Sequence, residues 1–182
     1  MSASRPLLDP APRSPAKDLA DSTSTQLLHD ADGFSIATWK NVALHLWTVA
    51  ATPEMVAKLD EFSLAFTRAH PEGISAIHVI AKGAPLPGKE VRDLLRDVSD
   101  RHAKHVACVC HVVEGSGFWA SALQSFLTGL HWLSQRSYSL HICSDIAAAA
   151  QWVPGPHAQR TKVTLAPAEL EQAIRFVRNR VD

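Results

Sequence analysis

His105-Val106-Ala107-Cys108-Val109-Cys110-His111-Val112-Val113, followed by Glu114-Gly115-Ser116-Gly117-Phe118, is the stretch that decides the fold. Nine residues that are mostly β-branched, small or thiol make a strand to be covered on both faces, as a central strand of a layered α/β protein is. Gly115 and Gly117 then turn the chain into a run of helical period from Phe118 to about Leu133, apolar on most sides and expected to be well buried. Upstream, Ile74 to Ala81 reads as a strand. The loop Lys82-Gly83-Ala84-Pro85-Leu86-Pro87-Gly88 follows, and then a helix from about Lys89 to Ala103 whose inward face is Val91, Leu94, Leu95 and Val98, with His102 as a further candidate.

Further outward, Phe34 to Lys40 and Val42 to Val49 form a strand pair whose tight turn near Lys40-Asn41 predicts an antiparallel hairpin. Thr52-Pro53-Glu54 reads as cap, first-turn proline and acidic first turn. The helix they open runs to about Ala69 on the stripe Met55, Leu59, Phe62, Phe66 and Ala69, and Pro71 and Gly73 stop it. Downstream, Ser139 to Cys143 is the last strand, and Asp145 caps a short alanine-rich helix that ends at Trp152. Alternating strands and helices of this kind build a mostly parallel five-stranded sheet with an N-terminal β-hairpin and βα crossovers. The chain divides into a disordered N-terminal arm (1–32), an α/β domain (33–153), a polar linker (154–166) and a C-terminal amphipathic helix (167–182). That helix carries Leu170, Ala173, Ile174, Val177 and Val181 on one stripe, which needs a cover.

The 182 residues are 46% hydrophobic and 20% charged, the profile of one globular domain with enough core to fold alone. With 18 basic and 18 acidic residues, no excess field recruits nucleic acid or an anionic membrane. The N-terminus shows no cationic stretch followed by an apolar run, and no segment has the length of a membrane span, so the chain reads as cytoplasmic. Cys108, Cys110 and Cys143 all fall in strands and read as small core residues, not as a disulfide framework or a redox pair. The five tryptophans lie at element ends or in apolar stripes, where packing is the default.

Four strands each hold a histidine in their interior: His45, His78, His111 and His141. Each is flanked by aliphatic or thiol residues, so each points to the opposite face of its strand from that set. If the crossovers move one way across the sheet, their helices share one face. The aliphatic set is expected there, leaving the four histidines on the other face with Trp47, Ala76, Ile80, Ala107, Val109 and Cys143. The C-terminal helix is then expected to dock within the chain on the histidine face, with a homodimer as the other outcome. The histidines read as half-buried spacers. A metal site or a partner-binding surface are the alternatives, but zinc needs three or four ligands converging at about 2 Å, and neighbouring strands are about 4.8 Å apart. No metal or cofactor is expected.

Gly115-Ser116-Gly117 lacks the further glycine of a dinucleotide loop and the Gly-Lys-Ser/Thr of a P-loop, so Ser116 reads as a helix cap. A nucleophile elbow is absent, and the strand ends carry no acidic cluster of a phosphorelay receiver.

The order strand, strand, helix, strand, helix, strand, helix, strand, short helix resembles the STAS-like, anti-anti-sigma-factor-like domains, as a divergent bacterial branch. The likeness covers about Phe34 to Val153 and is strongest at Leu140-His141-Ile142-Cys143-Ser144-Asp145 with the helix Ile146 to Trp152. Gly115-Ser116-Gly117-Phe118 is similar to a Gly-x-Gly-Phe turn of such domains. The resemblance implies a non-enzymatic regulatory or protein-interaction module of bacterial signalling that binds a protein partner without a cofactor. Classical members switch on a phosphorylated hydroxyl after the third strand, and Lys82 to Gly88 contains none. The interaction surface is placed at Lys82, Gly83, Leu86, Gly115, Ser116 and Gly117. The alternative is a small-molecule or lipid-binding α/β domain, with the helix Phe118 to Leu133 lining a pocket. An enzyme using the histidine face comes third.

Overall fold

The computed structural model describes residues 24–132 and 137–181. Six strands form one sheet in chain order: β1 (Gln26–Ala31), β2 (Phe34–Trp39), β3 (Val42–Trp47), β4 (Ile74–Ile80), β5 (Val106–Val113) and β6 (Ser139–Cys143). β1, β2 and β3 pair antiparallel, whereas β3 to β6 run parallel. The class is α/β, as expected, but the sheet is six-stranded and mixed, not mostly parallel and five-stranded.

The additional strand lies in the segment assigned to the disordered arm, whose residues 1–23 fall outside the described ones. Asp32 and Gly33 both take positive φ, 56° and 79°, and Ala31 pairs with Phe34, so Asp-Gly makes a two-residue hairpin turn. A Cβ on Gly33 would lie 2.7 Å from Thr48 Oγ1 and 2.8 Å from Val49, so the position also needs a glycine for space. Ser35 Oγ donates to Asp30 at 2.7 Å, and Leu27 packs on the core. Deleting residues 1–32 is therefore expected to lower the thermal midpoint by about 4–8 °C, the equivalent of roughly 2 kcal/mol for a domain of this size. A midpoint equal to that of the full chain in a calorimetric scan would show that β1 contributes nothing.

The helices are α1 (Pro53–Ala69), α2 (Lys89–His102), α3 (Phe118–Trp132), α4 (Ile146–Trp152), α5 (Pro154–Thr161) and α6 (Pro167–Arg178). Thr52 caps α1 by accepting from Met55 N at 3.4 Å, and Asp145 caps α4 by accepting from Ala148 N at 2.8 Å. The segment expected as a linker is largely helical. Pro154 stands at the start of α5, where its missing N–H costs nothing, and the helix turns His157 and Thr161 inward, both buried. His157 Nδ1 and Ser75 Oγ are 2.7 Å apart, and Ser75 Oγ lies 3.1 Å from Cys108 Sγ. Among the described residues no helix is long and apolar enough to cross a membrane.

The two faces of the sheet are covered the other way round from the expectation. Leu44, Leu46, Ile77, Val79, Cys108, Cys110 and Val112 pack against Ile146, Ala149, Ala150 and Val153 and against Leu170, Ala173, Ile174 and Val177 of α6. The C-terminal helix does dock within the chain, but on the aliphatic face. The crossover helices cover the histidine face, with Phe62 and Phe66 of α1 over Ala43, Ala76 and Val109, and Leu59 over Phe34 and Trp47. Alternation along a strand separates two sets of side chains without saying which helices lie over which set.

His141 also changes face. It pairs with Cys110, and Cys143 with Val112, so both belong to the aliphatic side, where His141 stacks on Trp152 at 4.8 Å between centroids. Leu140 and Ile142 take the histidine side instead. The parity of β6 is set by its hydrogen-bond register with β5, which its own five residues do not encode. Helix α3 is less buried than its composition suggests: Ala120, Leu123 and Leu127 face Val113, while Phe118, Ser121, Gln124 and Thr128 are exposed.

Candidate functional site

In-register parallel pairing assembles the histidine face into lateral rows. One row is Ala43, Ala76, Val109 and Leu140; the next is His45, His78, His111 and Ile142; the third contains Trp47, Ile80 and Val113. The first row begins with two alanines, small side chains on which Phe66 packs and which also line the space beside it. Between this face and α1, α2 and α3 lies a cavity of about 170 Å³. Its floor is the alanine and histidine rows. Its roof is Leu59 and Ser63 of α1, Leu95 and Val98 of α2, and Leu123, Phe126 and Leu127 of α3. Ala84, Pro85 and Pro87 of the β4–α2 loop close one end, held there by the Trp119 Nε1 donor, 3.0 Å from the Ala84 carbonyl.

The three histidines stack across adjacent strands, with centroids 4.6 Å apart for His45 and His78 and 5.0 Å for His78 and His111. Rings stacked face to face point their in-plane nitrogens side by side, so three lone pairs do not converge on one ion at about 2 Å. Among the described residues no group of three or more metal-ligating side chains could hold a metal. Burial holds His45 well below the usual imidazole value, helped by His78 and His111, and burial pushes His78 down to about 4. His45 and His78 are therefore neutral at pH 7. His78 Nδ1 accepts from Trp47 Nε1 at 3.3 Å, which leaves the His78 proton on Nε2. Both nitrogens of His45 lack a hydrogen-bond partner among the described residues. His102 and Ser99 also line the cavity but are engaged: His102 Nε2 lies 2.8 Å from Asp60 Oδ1, which Arg101 also contacts through its partner oxygen, and Ser99 Oγ donates to the Leu95 carbonyl at 2.8 Å.

The surface residues expected from the sequence lie outside this cavity. Lys82, Gly83, Leu86, Gly115, Ser116 and Gly117 are all exposed. The two loops that carry them do meet: a Cβ on Gly115 would lie 3.0 Å from Lys82 Cγ. The sequence reading put His45, His78, His111, Ala76 and Val109 on one face, but missed Ala43 and the cavity above that face. Its signal was present as alanine two residues before a histidine in both β3 and β4, Ala43-x-His45 and Ala76-x-His78, which becomes a row of small side chains once the strands align. Comparison with protein-family models, with curated proteins and with solved structures finds no match for the chain.

Proposed function

We propose that this protein is a non-enzymatic binder of a small, largely apolar molecule, held between the histidine face of the sheet and helices α1 to α3. The cavity carries this reading. Its roughly 170 Å³ is walled by Ala, Val, Leu and Phe side chains with one row of imidazoles, the mix of apolar wall and few polar groups that small-molecule sites show. An apolar cavity of about 150 Å³ takes up a benzene, whereas drug-sized ligands need about 300 Å³ or more. A single ring fits, and a long acyl chain does not.

Filling the cavity tests the reading. Wild-type protein and A76L are titrated with toluene and with phenol by calorimetry, and melted with and without each compound. Binding at 100 times Kd would stabilise the wild type by about 2.7 kcal/mol, a shift of several degrees. A76L should lose the heat and the shift while keeping a cooperative melt of its own. If neither compound produces heat or a shift in the wild type at millimolar concentration, the cavity is a packing defect and the reading fails.

A protein-interaction module of bacterial signalling, the role implied by the STAS-like resemblance, is the second reading. Phe118 favours it: the side chain is 91% exposed at the start of α3, directly after Gly115-Ser116-Gly117, and Leu86 of the neighbouring loop is exposed as well.

A further inference from the structure

His78 lies in the middle of the imidazole row, and both faces of its ring are covered, by His45 at 4.6 Å and His111 at 5.0 Å between centroids. Its backbone sits in a strand paired on both sides. The residue is nevertheless partly exposed and lines the cavity, so what it shows there is the free edge of the ring. That edge carries Nε2, which is not among the enclosed, unpartnered nitrogens that His45 and His111 hold. The other nitrogen, Nδ1, is taken by Trp47 Nε1 at 3.3 Å. An indole N–H only donates, so Nδ1 must accept and the single proton of the neutral ring sits on Nε2. Burial keeps the ring from taking up a second proton at pH 7. His78 thus presents one fixed hydrogen-bond donor to an otherwise apolar space.

A donor of this kind selects an acceptor on the ligand. A carboxylate would have to shed its water among alanine, valine and leucine side chains, and among the described residues no lysine or arginine lines the cavity. A hydroxyl accepts too, but it brings a hydrogen of its own that must also be met, whereas a carbonyl oxygen brings none. Resting on the ligand-binding reading above, we propose that the ligand is an uncharged hydrocarbon of single-ring size that bears a carbonyl oxygen, with that oxygen on His78 Nε2 and its ring in the space beside Ala76 and Val109.

The test compares cyclohexanone with methylenecyclohexane, its isostere without the oxygen, and with cyclohexanol and cyclohexanecarboxylate, as calorimetric ligands of wild-type protein and of H78F, which keeps a flat ring but removes both nitrogens. Cyclohexanone should bind the wild type about tenfold more tightly than methylenecyclohexane, the difference one buried hydrogen bond makes. In H78F the two should bind alike. In long-range proton–nitrogen spectra of the wild type, cyclohexanone should move His78 Nε2 and leave the His141 nitrogens in place, a readout that does not depend on the variant folding. Equal affinity for the ketone and its isostere, a preference that survives in H78F, or an unmoved His78 Nε2 would overturn the assignment while leaving an apolar binding cavity. Cyclohexanol as the tightest ligand would overturn the carbonyl class, and the carboxylate as the tightest would overturn the uncharged one. Binding of none of the four would remove both this inference and the reading beneath it.

Discussion

Replacing Ile174 by aspartate is expected to cost about 4 kcal/mol or more, a large part of the stability of the fold. Ile174 is 1% exposed, as is Val177 one turn later, and both belong to the cluster that joins α6 to Leu44, Leu46, Ile77 and Val79 of the sheet. Losing a buried isoleucine side chain costs about 2–5 kcal/mol on its own. The new carboxyl group must in addition either be buried or force the helix off the sheet. Domains of this kind are stable by only about 5–15 kcal/mol, so one such change removes much of the margin. The ion pairs at the rim, Lys40 with Glu169 at 3.3 Å and Arg178 with Glu114 at 2.6 Å, are too exposed to hold the helix in place by themselves. Phe176→Asp, on the half-exposed side of the same helix, is the control and should shift stability by far less. Urea melts at several protein concentrations check the result. An I174D protein as stable as the wild type would contradict the docking of α6 on the sheet.

Acidification from pH 7 to pH 5 should destabilise the fold by several kcal/mol, before most carboxylates begin to protonate. His45, His78 and His157 are all held below the ordinary value of 6.5, and burial is the largest cause in each case. Above about pH 7 these side chains are neutral in both the folded and the unfolded chain and contribute no pH dependence. As the pH falls through 6.5 the unfolded chain takes up protons that the folded one refuses, so stability falls with pH. His157 is fully buried and pushed down to about 4. It alone withdraws roughly 2 kcal/mol by pH 5 and about 3 kcal/mol by pH 4, at 1.36 kcal/mol per pH unit. His78, pushed down to about 4 but partly exposed, withdraws a smaller share, and His45 adds its own. Urea midpoints measured at pH 7.5, 6 and 5 should fall steadily, and H45F should fall less steeply than the wild type. A stability that does not change over this range would mean that the histidines carry charge or reach water in the folded protein.

Alternating patterns along the chain were enough to place most of the elements. Apolar runs of strand length at Phe34–Trp39, Val42–Trp47, Ile74–Ile80 and Val106–Val113 are strands, and the stripes of α1, α2 and α6 are helices packed on one side. Thr52-Pro53 and Asp145 mark helix starts because a cap and a first-turn proline act within four residues of themselves. The Asp32-Gly33 turn is local, but the short run Gln26–Ala31 before it, with Leu27 and Leu28 as its only large apolar residues, reads as tail. Only pairing with β2 supplies the hydrogen bonds that make it a strand.

What the sequence by itself determined is therefore local: which residues share a strand face, which share a helix stripe, and where each element begins. Which face lies under which helices, the side of the sheet taken by His141, and the helical form of Pro154–Thr161 were decided by tertiary structure. So was the cavity, which needs two alanines on different strands, Ala43 and Ala76, to fall side by side beneath three helices. The reason is physical. Alternation and helical period fix relative orientation inside one element, whereas register, layer and void depend on how separate elements fit together, and that fit is settled by the summed burial and hydrogen bonding of the whole sheet.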